Sequence, residues 1–380
     1  MQDQYLRYVF AYVKNNSNSI MVLESEIPNT YTFNDQLQLI QTDVGFHIEF
    51  DISAALSAQP TTIHFNSFNP SIEQIKFSQQ EGASLVVYAG YLGIPDPAPV
   101  EALTPKSGFY NSSQINLLLS DHLTGLSNAF PNMQVKPIFE GSIIQARKLL
   151  VNTVDSLLNI VAVDSDVQIT SAFTNVSVKS GQTNSKIMEA ITSNALNDLK
   201  LRTSNITEMP ILLNYNEIPN KLHRGKTIVG PYYDALRAFG ANNEADVYFE
   251  KGSAVVLGRD VVDPNTSIIY LSPSSGLIGL PIQTFNGINV RSVLNASLIR
   301  GGSIRLDNSL IQIQEVGTQI GAQKDYEFNV TPILDGALGI YKILAVNHVG
   351  DTRGSDWYTD LICYSYDTPP PSSIGRYSPF

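Results

Sequence analysis

The residues best suited to chemistry are few and far apart. Five histidines, His47, His64, His122, His223 and His348, are scattered along 380 residues with no pair at metal-ligand spacing and no HExxH motif. His348 with Asp351 and Asp356 is the best local set. It falls in the polar connection VGDTRGSD, where Asp and Gly are ordinary turn residues. Asp164-Ser165-Asp166 puts two carboxylates on one side of an extended segment, without the spacing or glycine of an EF-hand, so turn chemistry suffices there too. The one cysteine, Cys363, excludes an intrachain disulfide framework and multi-cysteine metal clusters. Its setting, Leu361-Ile362-Cys363-Tyr364, reads as a strand with a buried, inert thiol. His223-Arg224-Gly225-Lys226-Thr227 ends like a Walker A loop, but Asn220 stands where its first glycine belongs. The stretch therefore reads as a surface loop leading into the strand Ile228-Val229. No Gly-x-Ser-x-Gly elbow occurs, and nothing marks a pair of glycosidase carboxylates. These readings give no catalytic residue, cofactor or metal site.

The elements that would have to position such groups are mostly strands. Phe46-His47-Ile48-Glu49-Phe50-Asp51-Ile52 alternates throughout, with four apolar side chains on one face and His47, Glu49 and Asp51 on the other. Ile63-His64-Phe65, Leu85 to Ala89, Ile138 to Ile144 and Leu158 to Val163 continue the pattern. Asn69-Pro70 is read as the start of a short helix stopped by Gly82, and a further helix is read around Ile115 to Leu126. Residues 31–175 thus read as an antiparallel barrel or sandwich. Long connections at Pro95 to Pro105 and Asn111 to Pro137 interrupt it.

Near Ser180 the period becomes helical. Thr183 or Asn184 caps a helix bearing Ile187, Met188, Ile191 and Ala195, and a second helix runs from Pro231 to Phe239 and ends at Gly240. Ala245 to Phe249 and Ala254 to Leu257 flank Lys251-Gly252 as a hairpin. Strands return with Ile268 to Leu271, Ile288 to Val290, Ser303 to Asp307, Gly339 to Val346 and Trp357 to Tyr364. In Phe285 to Asn308, Gly301-Gly302 supplies backbone freedom at a turn, and Ile304 and Leu306 face the core. The last stretch, DTPPPSSIGRYSPF, cannot build a core and forms an extended tail. Its Ile374, Tyr377 and Phe380 either anchor on a neighbouring subunit or belong to a mobile end.

The fold class expected is mainly β with a smaller α+β part: two antiparallel β-barrel domains separated by an α+β insertion. The divisions fall at 1–177, 178–262 and 263–365, with a proline-rich tail at 366–380. A composition of 43% hydrophobic and 16% charged residues indicates globular domains with much uncharged polar surface. A net charge of -11 opposes binding to nucleic acid or anionic lipid, which needs clusters of Lys and Arg. The N-terminus is not read as a signal peptide, and no apolar run reaches membrane-spanning length, so synthesis and folding in a cytoplasm are expected.

One ordered set of segments carries a resemblance. Thr32-Phe33-Asn34, Gly45 to Ile52, Ile63 to Pro70, Tyr88-Ala89-Gly90-Tyr91 and Ile138-Phe139-Glu140-Gly141-Ser142-Ile143 resemble the first barrel of tail hub proteins from long-tailed bacteriophages. Gly279-Leu280-Pro281, the stretch from Phe285 to Asn308, and GIYKILAVNHVGDTRGSDWYTDLICY resemble the second barrel in Mu-like contractile-tailed phages. The resemblance covers about 31–365. It implies a structural baseplate hub, a homotrimer whose six quasi-equivalent tail-tube-like barrels meet the six-fold tail tube protein above, while its other domains receive the three-fold central spike protein below. DNA would pass through the channel without specific binding, other baseplate proteins would be partners, and the place would be the virion tail. It implies no enzyme, no cofactor and no membrane insertion; the sequence departs from the family's pattern in having no appended lysozyme-like or peptidase segment, so any cell-wall cleavage is expected of another tail protein. Arg291 and Arg305, together with Tyr377 and Phe380, are the candidate assembly contacts.

Two other classes compete with this one. A receptor- or carbohydrate-binding β protein of a virion or bacterial surface requires a concave aromatic patch, for which Tyr232, Tyr233 and Trp357 are the candidates. A hydrolase of another family requires turnover that one carboxylate or histidine change removes. A contractile injection device other than a phage tail fits the same barrels.

Overall fold

The computed structural model describes residues 6–16, 19–25, 45–55, 60–93, 107–202, 224–243, 245–250, 253–258, 262, 266–284, 287–313 and 339–365. Thr32-Phe33-Asn34, the connection at 95–105, and the tail with Ile374, Tyr377 and Phe380 lie outside the described residues.

In chain order the elements begin with β1 (Arg7–Lys14), β2 (Ser19–Glu24), β3 (Ile48–Ala55), β4 (Thr62–Phe68), α1 (Ile72–Ser78), β5 (Ser84–Tyr91) and β6 (Gly108–Asn111). Then come α2 (Ser112–Ala129), β7 (Gln134–Leu150), β8 (Ser156–Val163), α3 (Asp166–Ser171), β9 (Phe173–Val178) and α4 (Asn184–Arg202). Next are β10 (Lys226–Pro231), α5 (Tyr232–Asn242), β11 (Ala245–Glu250), β12 (Ser253–Gly258), β13 (Ile269–Tyr270), β14 (Leu277–Thr284) and β15 (Gly287–Val293). The last are β16 (Ser303–Arg305), a 3-10 turn (Asn308–Leu310), β17 (Gln312–Ile313), β18 (Ile340–Asp351) and β19 (Trp357–Ser365).

Fifteen strands form one sheet in the order β17-β14-β15-β19-β18-β3-β4-β8-β7-β5-β1-β2-β6, with β13 and β16 attached beside β18. The mainly β class is as expected, and the two expected barrels appear among the described residues as one continuous sheet with no closed barrel. β18 is too long for one unit: Ile340 to Lys342 pair with β16, and Ala345 to Asp351 pair antiparallel with β3. The partner changes at an irregularity in the β18–β19 ladder between Ile343 and Ala345. An outer half of β18 left without β3 would expose a row of unpaired N–H and C=O groups, which is why the two β units fuse along this seam. A lone parallel bridge joins Ser25 to Phe46, but no strand ladder closes a ring among the described residues.

The side chains nevertheless gather into separate cores. One lies between β1, β2, β3, β4, β5, β7, β8 and α1, and includes Phe50, Phe65, Phe139 and Trp357. Another joins α4, α5 and the β11–β12 hairpin through Met188, Tyr232 and Phe249. A third, with Leu298, Ile304, Leu306, Tyr341 and Cys363, fills the C-terminal β unit. The inward alternation read for Ile304 and Leu306 holds, and Arg305 between them and Asp307 after them are exposed.

β1 and β2 carry no alternation in the sequence, because neither strand shows a polar face. Val9, Ala11 and Val13 enter the first core, and Tyr8 and Phe10 enter a fourth beneath α2. Two helix limits are also corrected. Ser71, not Asn69, caps α1, closing a capping box with Gln74. α5 continues through Gly240 to Asn242. A Cβ on Gly240 would meet Ala245 O at 2.7 Å and Val247 Cγ2 at 2.6 Å, so that glycine serves close packing on β11 rather than helix termination.

Candidate functional site

The chemistry-bearing residues converge at the β3–β18 seam. Alternation along β3 puts Ile48, Phe50 and Ile52 in the core and turns His47, Glu49 and Asp51 outward. Antiparallel pairing then sets Asp351, the last residue of β18, directly opposite Glu49. His47 Nε2 is 2.8 Å from Asp351 Oδ1 and 3.7 Å from Glu49 Oε1. The His47 ring stacks on Phe68 with centroids 4.1 Å apart. Asn66 Nδ2 donates to Glu49 Oε2, and the N–H groups of Arg353 and Gly354 donate to Asp351 Oδ1. Burial pushes the Asp351 carboxyl up, but the two backbone N–H bonds and His47 outweigh it and leave the group below its usual range. Arg7 fastens the same turn by donating to the carbonyl oxygens of Asp351, Gly354 and Ser355.

This is not the trio read from the sequence. His348 points to the other side of β18, where it is buried and its Nδ1 meets Thr359 Oγ1 at 2.9 Å. His47, remote in sequence, replaces it beside Asp351. Only strand pairing could reveal that neighbour.

The remaining candidates have structural settings. Arg291 makes a bidentate pair with Asp360 of the same chain, at 2.7 and 2.8 Å, and lies over Tyr358. Arg305 is exposed at a shallow groove with Tyr270, Asp307 and Gly339. Lys226 and Thr227 belong to a strand, not to the helix that a phosphate loop would need. Asp164 is buried and Asp166 opens α3. Burial drives the Cys363 thiol far above its ordinary range. Tyr232 and Trp357 are buried, so the aromatic patch expected of a glycan-binding surface is not formed by these residues.

A second polar cluster, Tyr8, Glu24 and His122, is wholly internal. Glu24 Oε1 is 2.5 Å from Tyr8 Oη and 2.6 Å from His122 Nε2, which pins α2 onto β1 and β2. A groove of about 810 Å³ between β10 and α5 has Lys226 and Asp234 as its charged lining, with no histidine or cysteine among the described residues.

Exposed apolar side chains concentrate at the β7–β8 hairpin. Leu149, Leu150, Val151 and Val154 surround its tip, with Leu150 76% and Val154 86% exposed, and Ile144 is exposed further along β7. The tip is firmly built. Asn152 Oδ1 accepts from the N–H groups of Val154 and Asp155, and Asn69 exchanges two hydrogen bonds with the backbone of Ser156 and one with the Asp155 carboxylate. Ile278, Leu280 and Ile282 of β14 make a second exposed apolar row.

No family model matches the chain, and no curated protein does. Among solved structures, the chain is similar to a tail protein from Neisseria meningitidis, at 8% identity and TM-score 0.48, over 95% of this chain and 97% of that one. It is similar to the 43 kDa tail protein of prophage MuSo2 from Shewanella oneidensis, at 5% identity and TM-score 0.48, over 95% and 99%. It is also similar to an Escherichia coli component of the type VI secretion system, at 10% identity and TM-score 0.42, over 90% and 78%.

Proposed function

We propose that this protein is a structural virion protein, the trimeric baseplate hub that joins a six-fold tail tube to a three-fold central spike around a DNA channel. The observation that carries the reading is the β7–β8 hairpin: a rigid turn displaying Leu149, Leu150, Val151 and Val154 to solvent. Exposed apolar patches on otherwise polar surfaces mark protein contacts, and a firmly held turn loses little entropy on docking. The ordered segments resembling phage hub proteins supply the kind of assembly. The division into 1–177, 178–262, 263–365 and the tail 366–380 belongs to this proposal, as do Arg291, Arg305, Tyr377 and Phe380 as assembly contacts. Tube, spike and other baseplate proteins are its partners, and the virion tail is its place after synthesis in the host cytoplasm. The net charge of -11 suits a wall past which DNA slides, since fixed negative charge opposes phosphate adsorption. Among the described residues no helix is long and apolar enough to cross a membrane. The reading assigns no catalytic role.

Native mass spectrometry with three-fold averaged electron microscopy tests this. A mass of three subunits and an open ring are expected, alone or with tube and spike proteins. The variant Leu150→Ser/Val154→Ser should keep its melting temperature and lose assembly. A monomer under all these conditions overturns the hub reading.

A further inference from the structure

The seam cluster carries an inference independent of the assembly reading. Glu49 and Asp351 face each other across an antiparallel pair, a position where like charges destabilise a sheet. His47 Nε2 lies within reach of both, and one ligand atom from each of the three residues fits within 4.8 Å of the others. A tetrahedral cation with bonds of about 2.0 to 2.2 Å needs ligand atoms about 3.4 Å apart. The separations from His47 Nε2, 2.8 Å to Asp351 Oδ1 and 3.7 Å to Glu49 Oε1, bracket that spacing. We propose that His47, Glu49 and Asp351 form a binding site for a divalent transition-metal cation of the zinc class.

The donor set is one imidazole nitrogen and two carboxylates. Such borderline ligands suit zinc or cobalt better than calcium, which prefers six to eight oxygens. Each ligand is oriented from outside the set: His47 by stacking on Phe68, Glu49 by Asn66, and Asp351 by the N–H groups of Arg353 and Gly354. Outer contacts of this kind fix ligand direction in metal sites. All three side chains are partly exposed, which leaves a path for the ion and a position for water. A bound cation would replace the Glu49 to Asp351 repulsion with two attractions and cross-link β3 to β18 at the end of the seam.

The test is titration of the tag-free, chelator-treated full chain with Zn2+ by calorimetry and with Co2+ by visible absorption. One equivalent should bind at micromolar concentration, with the intense bands of a tetrahedral cobalt site. His47→Ala and Glu49→Gln should each weaken binding at least about tenfold, whereas His64→Ala, on neighbouring β4, should bind as the parent does. Glu49→Gln retains a hydrogen-bonding partner for Asn66, so it decides the matter if His47→Ala does not fold. Absence of saturable binding overturns the site. So does binding that Glu49→Gln leaves unchanged.

Discussion

Lys342 Nζ, on a side chain with no solvent exposure, lies 3.7 Å from Asp246 Oδ2 and donates to Gly258 O at 3.0 Å. Arg300, also buried, pairs with Glu250 and donates to Phe249 O. Two cations of the C-terminal β unit thus grip the β11–β12 hairpin. Removing Asp246 takes away part of the compensation of the buried Lys342 charge, so Asp246→Ala should cost about 1 to 3 kcal/mol. Lys342→Met added to Asp246→Ala should recover about 1 kcal/mol or more, because the stranded charge goes with it. Hydrogen exchange of the β11 and β12 amides reads both effects, and strictly additive costs would contradict the arrangement.

Gly301 and Gly302 separate into unequal roles. Gly301 has φ +78° and a Cβ there would meet Tyr248 Oη at 2.5 Å, whereas one on Gly302 would come no closer than 3.0 Å, to Ile299 O. Backbone strain and overpacking together should make Gly301→Val cost about 3 kcal/mol or more. Gly302→Val should cost less than half of that. Thermal melts rank the two, and equal losses would count against this geometry.

The Arg291 to Asp360 pair is half exposed on its arginine side. Exposed pairs contribute about 0.2 to 1 kcal/mol, and bidentate geometry puts this one at the upper end of that range. Arg291→Ala should therefore fold with a melting temperature close to the parent's. If that variant also assembles normally, Arg291 is excluded as a subunit contact; a native mass measurement decides.

Cys363 is buried in the C-terminal core, and burial raises its thiol well above the ordinary value. Thiolate-directed reagents should label it no faster than that core opens. Labelling rates in increasing urea should follow unfolding, and rapid labelling of the native chain would contradict its burial.

Acid should loosen the apolar hairpin tip. Hydrogen bonds from Asn152 and then Asn69 hold the Asp155 carboxyl below its ordinary value of 3.8. A carboxyl more acidic folded than unfolded adds stability that is complete above the unfolded value and is lost as pH falls through the folded one. An NMR titration of Asp155 should give a midpoint below 3.8, and Asn69→Ala should move it upward. A midpoint unmoved by Asn69→Ala would remove that contact from the account.

Legibility in the sequence followed the number of faces each element buries. β3 has one buried face, so its alternation gave both its core side and the outward set His47, Glu49 and Asp51. β1 buries two faces and shows no period, which hid it. The inserted helices were visible because Met188, Ile191 and Ala195 share one stripe. The seam was not. Which strand edge β18 meets depends on pairing across nearly three hundred residues of chain, and no local pattern encodes that partner. His47 beside Asp351 was hidden for the same reason, whereas the exposed tip at Leu150 and Val154 became visible only once the hairpin's outward faces were known.

β18 also has a mechanical consequence. One uninterrupted strand is laced by hydrogen bonds to β16 in one half and to β3 in the other, with β19 along its opposite edge. A pull along that strand loads many of these bonds together, in shear, instead of peeling them apart one by one. A push received by one β unit therefore reaches the other through the peptide backbone itself, and the irregularity between Ile343 and Ala345 is the point of that strand where it can bend.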